Sequence, residues 1–244
     1  MRRRRFVDGQ QTAAESLSSA ELESSRASWQ LVLTSCLAFR IVNALVVCTY
    51  FNADEYWQSL EVAHYLVFGY GHLTWEWKEA IRSYIHPLLF ATVYKVLAVT
   101  GLDSPFTLSM APRLLQGAFA AYGDLCLYRL ALRLFSPAVA NLALFCQMCS
   151  WFTFFCAVRT FSSSLEAVLT TAALSYWPLP VSWPRGNPEV AGSCSSRGAA
   201  LLLAAAAVVI RPTSLALWLP IGLAELIAGH NRLVFLFLEV LPIG

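Results

Sequence analysis

Charge is what this sequence has least of. Asp, Glu, Lys and Arg make up 13% of its 244 residues and hydrophobic residues 57%, whereas an ordinary soluble domain is about a quarter charged. That balance excludes a chain whose main solvent is water. There is no glycine-rich phosphate loop, dinucleotide fingerprint or nucleophile elbow, which removes the usual grounds for a nucleotide-binding or serine-hydrolase reading. A cytosolic nucleotide-sugar enzyme needs a soluble Rossmann-like domain, and none is present. Alternating ten-residue strands are also missing, against a membrane β-barrel. Cys146-Gln147-Met148-Cys149 has metal or redox spacing, but no second pair or histidine cluster completes it. Neither a metal nor an organic cofactor is expected. Cys36, Cys48, Cys126, Cys146, Cys149 and Cys156 sit inside apolar runs and read as buried, inert thiols, while Cys194 stands alone in a loop.

What is present is a series of apolar runs near the spanning length of roughly 20 residues, which predicts an all-α polytopic membrane protein. Residues 1–28 read as a disordered cytosolic tail, with Arg2, Arg3, Arg4 and Arg5 ahead of a Ser-rich stretch. The hydrophobic remainder sets aside nucleic acid as the arginines' partner and points to membrane lipids. Residues 29–244 form the predicted multispan module. Its first run, 29–51, reads as an uncleaved signal anchor, and the polar loop 52–83 follows on the non-cytosolic side. Further spans are expected at 110–135, 138–158, 165–183 and 199–220, with Arg211-Pro212 as a kink candidate. Residues 184–198 read as a loop and 233–243 as half a span. Arg129, Arg133, Arg185 and Arg197 favour the cytosolic side. Residues 84–101 are therefore expected to re-enter or lie partly embedded rather than cross once.

The loop carries the chemistry. Asn52-Ala53-Asp54-Glu55-Tyr56-Trp57-Gln58-Ser59-Leu60-Glu61 sets adjacent acids at the membrane–water boundary, where a lipid-linked substrate presents its polar head. On a helix, Asp54, Gln58 and Glu61 fall at i, i+4 and i+7 and share a face. Tyr56, Leu60, Ala63 and Val67 form another, so the segment suits the interface plane; a plain interfacial helix with a solvated face is the alternative. Asn52 suits an N-cap and Glu55 the carboxylate of a capping box, leaving Asp54 as the freer base. Trp75-Glu76-Trp77 suits either interfacial anchoring or stacking on a sugar. Arg82 and His86 would either hold a phosphate or flank a helix. Arg40, Arg113 and Asp124 lie inside apolar runs, where a charge costs roughly 2.5–3.5 kcal/mol. They mark either a site or a structural Arg–Asp pair.

Residues 54–64 (Asp54-Glu55-Tyr56-Trp57-Gln58-Ser59-Leu60-Glu61-Val62-Ala63-His64) resemble the first luminal loop of the dolichyl-phosphate-mannose-dependent α-mannosyltransferases, glycosyltransferase family 22. The likeness is closest to the members that build glycosylphosphatidylinositol (GPI) anchors. It continues through Phe68-Gly69-Tyr70-Gly71, Leu73-Thr74-Trp75-Glu76-Trp77, Ile81-Arg82-Ser83-Tyr84-Ile85-His86-Pro87 and Ala111-Pro112-Arg113-Leu114-Leu115-Gln116. Trp151-Phe152-Thr153-Phe154-Phe155, Arg159-Thr160 and Ile210-Arg211-Pro212-Thr213 extend it. The resemblance implies a GT-C-type multispan helical bundle, multi-pass in the endoplasmic reticulum membrane, with interfacial helices in its first luminal loop. It further implies transfer of the third mannose from dolichyl phosphate mannose to a GPI precursor glycolipid, forming an α-1,2 linkage with inversion. On that basis Asp54 is the expected base and Glu55 its runner-up. Arg82 and His86 are the expected donor-phosphate ligands, with Arg159 also near the lipid phosphate. Trp57, Gln58, Glu61 and Trp75 complete the expected substrate contacts. Ala53 stands where the family usually has proline. Family members are longer, and the chain stops inside an apolar stretch, so it is expected to be a C-terminally truncated form. The alternative reading is an inactive family member that binds donor lipid or a partner subunit.

Overall fold

The computed structural model describes residues 29–178 and 196–228, and every regular element there is helical. The expected half-span at 233–243 and nearly all of the loop at 184–198 lie outside the described residues. Helix α1 (Trp29–Val46) is long and apolar enough to cross a membrane, at about 27 Å for its length. A π-turn, Tyr56–Leu60, leads directly into α2 (Glu61–Phe68), which stops at Gly69 in the left-handed region, φ 79°. One turn, α3 (Trp75–Lys78), and then α4 (Ile85–Thr100) follow.

Helix α5 (Pro105–Leu134) starts five residues before the expected span. The Ser104 hydroxyl accepts the Thr107 N–H and Pro105 takes the first helical position, so capping rather than hydropathy sets its start. The expected 138–158 span is broken. Helix α6 (Pro137–Cys149) ends where Ser150 turns extended and caps α7 (Trp151–Cys156) by accepting from Thr153 N–H. Helix α8 (Ser162–Tyr176) begins three residues before its expected start. The 199–220 segment holds a break rather than a kink. Helix α9 (Arg197–Ile210) ends at an extended Arg211, and a 3-10 turn (Pro212–Ser214) leads into α10 (Leu215–Ala228). Pro212 lacks an N–H and disfavours helical backbone at the residue before it. Helices α4, α6, α9 and the 212–227 segment are apolar but shorter than a full span.

The 30-residue α5, about 45 Å long, runs antiparallel to α1. Trp29 meets Tyr128 edge-on at one end, and Arg113 Nη1 donates to the Val47 carbonyl at the other, 3.2 Å away. Close approach is permitted by Gly117, where a Cβ would lie 3.3 Å from the Arg40 carbonyl oxygen. Helices α6 and α8 pack on α5, and α9 packs on α8. Helix α4 buries Phe90, Ala91 and Tyr94 against Leu60 and Ala63, and the Tyr94 hydroxyl donates to the Leu108 carbonyl at 3.1 Å. It follows the loop directly and hands over to the end of α5 that projects past Val47.

The apolar-run reading of the cysteines is corrected in part. Cys36 and Cys126 are buried, but Cys146 and Cys149 are exposed on α6, and Cys48 is exposed just past the end of α1. An apolar run places a thiol in a helix without deciding which face it takes.

Candidate active site at the loop end of the bundle

A cavity of about 630 Å³ opens where the first loop meets the bundle. Its loop wall carries Asn52, Asp54, Gln58 and Arg82; Arg40, Asp124 and Gln147 also line it, as do Ser162, Ser163, Ser164 and Thr171 of α8, and Arg211 at the end of α9.

Asp54 and Glu55 are neighbours with opposite surroundings. Asp54 is exposed, and its backbone N–H donates to Asn52 Oδ1 at 3.3 Å. Its carboxylate has no hydrogen-bond partner among the described residues. Glu55 is 1% exposed and accepts from Arg159 Nη1 at 2.8 Å. The capping-box role expected of Glu55 is therefore not what its carboxylate does: Arg159 out-competes the local backbone for it. Arg159 is itself buried. It donates to Thr49 Oγ1 and the Phe155 carbonyl, both at 3.2 Å, and lies 4.2 Å from the Phe155 ring centroid. The Ser59 hydroxyl contacts the Glu55 carbonyl at 2.7 Å and the Thr160 carbonyl at 2.9 Å, stitching the turn to residue 160.

The π-turn changes which residues share a face. Its i→i+5 bonding inserts extra backbone relative to an α-helix. Gln58 stays at the cavity with Asp54, but Glu61 turns to the loop and accepts the His72 N–H at 2.9 Å. It also sits against Gly71, where a Cβ would lie 2.6 Å from Glu61 Oε1 and φ is 131°, so glycine is required there. Trp57 offers its carbonyl to Trp77 Nε1 at 3.1 Å and packs edge-on to His72. Trp77 is buried, whereas Trp75 is 65% exposed and stands away from the cavity lining.

Arg82 reaches the cavity already paired: Nε and Nη2 lie 2.6 and 3.2 Å from the two Glu76 oxygens. That hydrogen bonding holds the Glu76 carboxyl below its ordinary range. His86, four residues further on in the first turn of α4, is buried edge-on to Phe90, with neither ring nitrogen hydrogen-bonded among the described residues. It points into the α4 packing rather than at the cavity, because it starts the apolar face of that helix. Of the expected site residues the cavity thus gathers Asp54, Gln58 and Arg82. It does not gather Glu55, Trp57, Glu61, Trp75, His86 or Arg159. Between α1 and α5, Arg40 Nε and Nη2 bind the two Asp124 oxygens at 2.7 and 2.9 Å. Arg40 and Asp124 are therefore a structural pair that also lines the cavity. Arg211 was read in the sequence as a kink candidate and as part of a block resembling the family, not as a site residue; the signal for its placement was the proline after it, which stops α9 at that point.

The Alg9-like mannosyltransferase family matches residues 31–243. This chain belongs to that family. It is 54% identical over 209 residues to mannosyltransferase APTG1 of Arabidopsis thaliana, covering 86% of this chain and 37% of that protein. It is 42% identical over 213 residues to human GPI alpha-1,2-mannosyltransferase 3, covering 87% and 37%. GPI mannosyltransferase 3 of Yarrowia lipolytica is 43% identical over 209 residues, covering 86% and 39%. The chain thus spans a little over a third of the length of these relatives. No solved structure matches it. For an Alg9-like chain the cavity offers one uncommitted carboxylate, a side-chain amide and guanidinium groups, a set suited to proton transfer and to holding an anion.

Proposed function

We propose that this chain acts in GPI-anchor assembly at the endoplasmic reticulum membrane as a mannosyltransferase. It takes mannose from dolichyl phosphate mannose and adds the third mannose of the GPI precursor glycolipid through an α-1,2 linkage. The observation that carries the reading is the split between neighbouring acids: Glu55 is locked to Arg159, while Asp54 presents a free carboxylate to the cavity. The names of the relatives support the substrate class.

A β-linked donor that gives an α-linked product reacts with inversion. The acceptor hydroxyl oxygen bonds to the anomeric carbon as the bond from that carbon to the phosphate oxygen breaks. Asp54 takes the hydroxyl proton. The phosphate keeps the bonding electron pair and leaves with the lipid, so it needs positive charge rather than an acid. Gln58, on the Asp54 side of the turn, donates hydrogen bonds to sugar hydroxyls, and Arg82 places a cation on the same loop wall.

The test is expression of the chain in cells that stop at the two-mannose precursor, with membrane insertion confirmed and surface GPI-anchored proteins read by flow cytometry. Restoration by wild type and loss with Asp54→Asn is the expected result. Equal restoration by the variant removes Asp54 as base. An inserted wild-type chain that restores nothing has no transferase activity of its own and leaves the donor-binding alternative.

A further inference from the structure

Three guanidinium groups face the cavity, and they differ in what already holds them. Arg40 is fully buried and gives Nε and Nη2 to Asp124. Arg82 gives Nε and Nη2 to Glu76. Each is bidentate to one carboxylate, so its charge is largely matched. Arg211 is different. Its Nε lies 3.6 Å from Glu166 Oε2, beyond hydrogen-bonding length, and the other Glu166 oxygen accepts the Ser214 hydroxyl. No other side chain among the described residues pairs with the Arg211 guanidinium. Its backbone is extended, φ −140° and ψ 108°, between the end of α9 and the turn that Pro212 opens. The proline thus fixes a cation with uncommitted donors at the cavity.

We propose that Arg211 receives the departing phosphate of the lipid-linked sugar donor; this rests on the transferase reading above. An arginine offers five N–H donors in a planar fork that fits two phosphate oxygens, and no donor hydrogen bond has to be broken first. The two groups, Asp54 and Arg211, also come from different elements of the cavity lining. Inversion places the incoming oxygen and the leaving group on opposite faces of the sugar. Asp54 belongs to the loop wall and Arg211 to the α8–α9 wall, whereas Arg82 comes from the same loop as Asp54.

The experiment measures binding of a short-chain polyprenyl phosphate, and of the matching uncharged polyprenol, to the purified full chain in detergent. Wild type is expected to prefer the phosphate. Arg211→Gln is expected to weaken phosphate binding roughly 10- to 100-fold without changing the alcohol's affinity, and Arg211→Lys to lose less. A merely structural arginine would lower both ligands' binding together, which counts against the proposal. Wild-type phosphate affinity in Arg211→Gln also overturns it and leaves the transferase reading intact; Arg82→Gln then shows whether the loop wall holds the phosphate instead. A wild-type chain that binds alcohol and phosphate equally sinks both readings.

Discussion

Inside the bundle, guanidinium and carboxylate meet at hydrogen-bonding distance with both ends shut away from water: 2.7 Å for Arg40–Asp124 and 2.8 Å for Arg159–Glu55, each side chain at most 2% exposed. At the rim of the cavity the same groups are partly open, with the Arg82–Glu76 side chains 34% and 28% exposed and the Arg211–Glu166 pair 37% and 23%. A buried pair gains little net stability over an apolar substitute, because desolvating two ions offsets most of their attraction. Removing one partner is another matter, since it strands the other in the interior. The interior pairs therefore fix which helices and turns meet, and at the rim Arg211 keeps donors available to something else.

The largest expected effect breaks the interior. Glu55→Ala and Asp124→Ala should each destabilise the chain by about 3–5 kcal/mol, read as heat- or denaturant-induced loss of helicity in detergent. A loss below about 1 kcal/mol in either would show that these pairs are not the interior fixtures described. Between the two regions lies Gly123 on α5, where an added Cβ would sit 3.0 Å from Val168 Cγ2. Overpacking costs about 1–3 kcal/mol and the gain in helix propensity returns about 1 kcal/mol. Gly123→Ala should thus cost about 1 kcal/mol in the same unfolding assay, and a stabilised variant would mean that α8 yields freely. The smallest effect belongs to the rim. A double-mutant cycle on Arg82 and Glu76 should give a coupling under about 1 kcal/mol, shrinking with added salt. Because Arg82 lowers the Glu76 pKa from its ordinary 4.5, that contribution is complete above pH 4.5 and fades as pH falls through the lowered value. A coupling that grows on acidification contradicts the pairing.

Much of this was readable from local chemistry. The helical class followed from apolar runs, and the family from the blocks around the first loop. The opposite charges of Arg40 and Asp124 in separate apolar runs already suggested a partnership. Capping chemistry was equally legible at Ser104-Pro105 and at Ser150, but hydropathy alone began five residues after the first and ran straight through the second. The candidate site was less legible, because its assembly is tertiary. No local pattern says that Glu55 will meet a residue 104 positions away, or that Arg159 will turn inward and not towards a lipid phosphate. The shared face of Asp54, Gln58 and Glu61 assumed 3.6 residues per turn, and the π-turn at 56–60 breaks that assumption.

The bond between Glu55 and Arg159 also sets an order of events during synthesis. The acid leaves the ribosome 104 residues before its partner, an interval of about 5–20 s at ordinary elongation rates. Until then the turn that carries Asp54 has neither Arg159 nor Thr160 to fasten it, and an unmatched carboxylate must stay in water. The first loop is therefore made well before it can acquire a fixed shape.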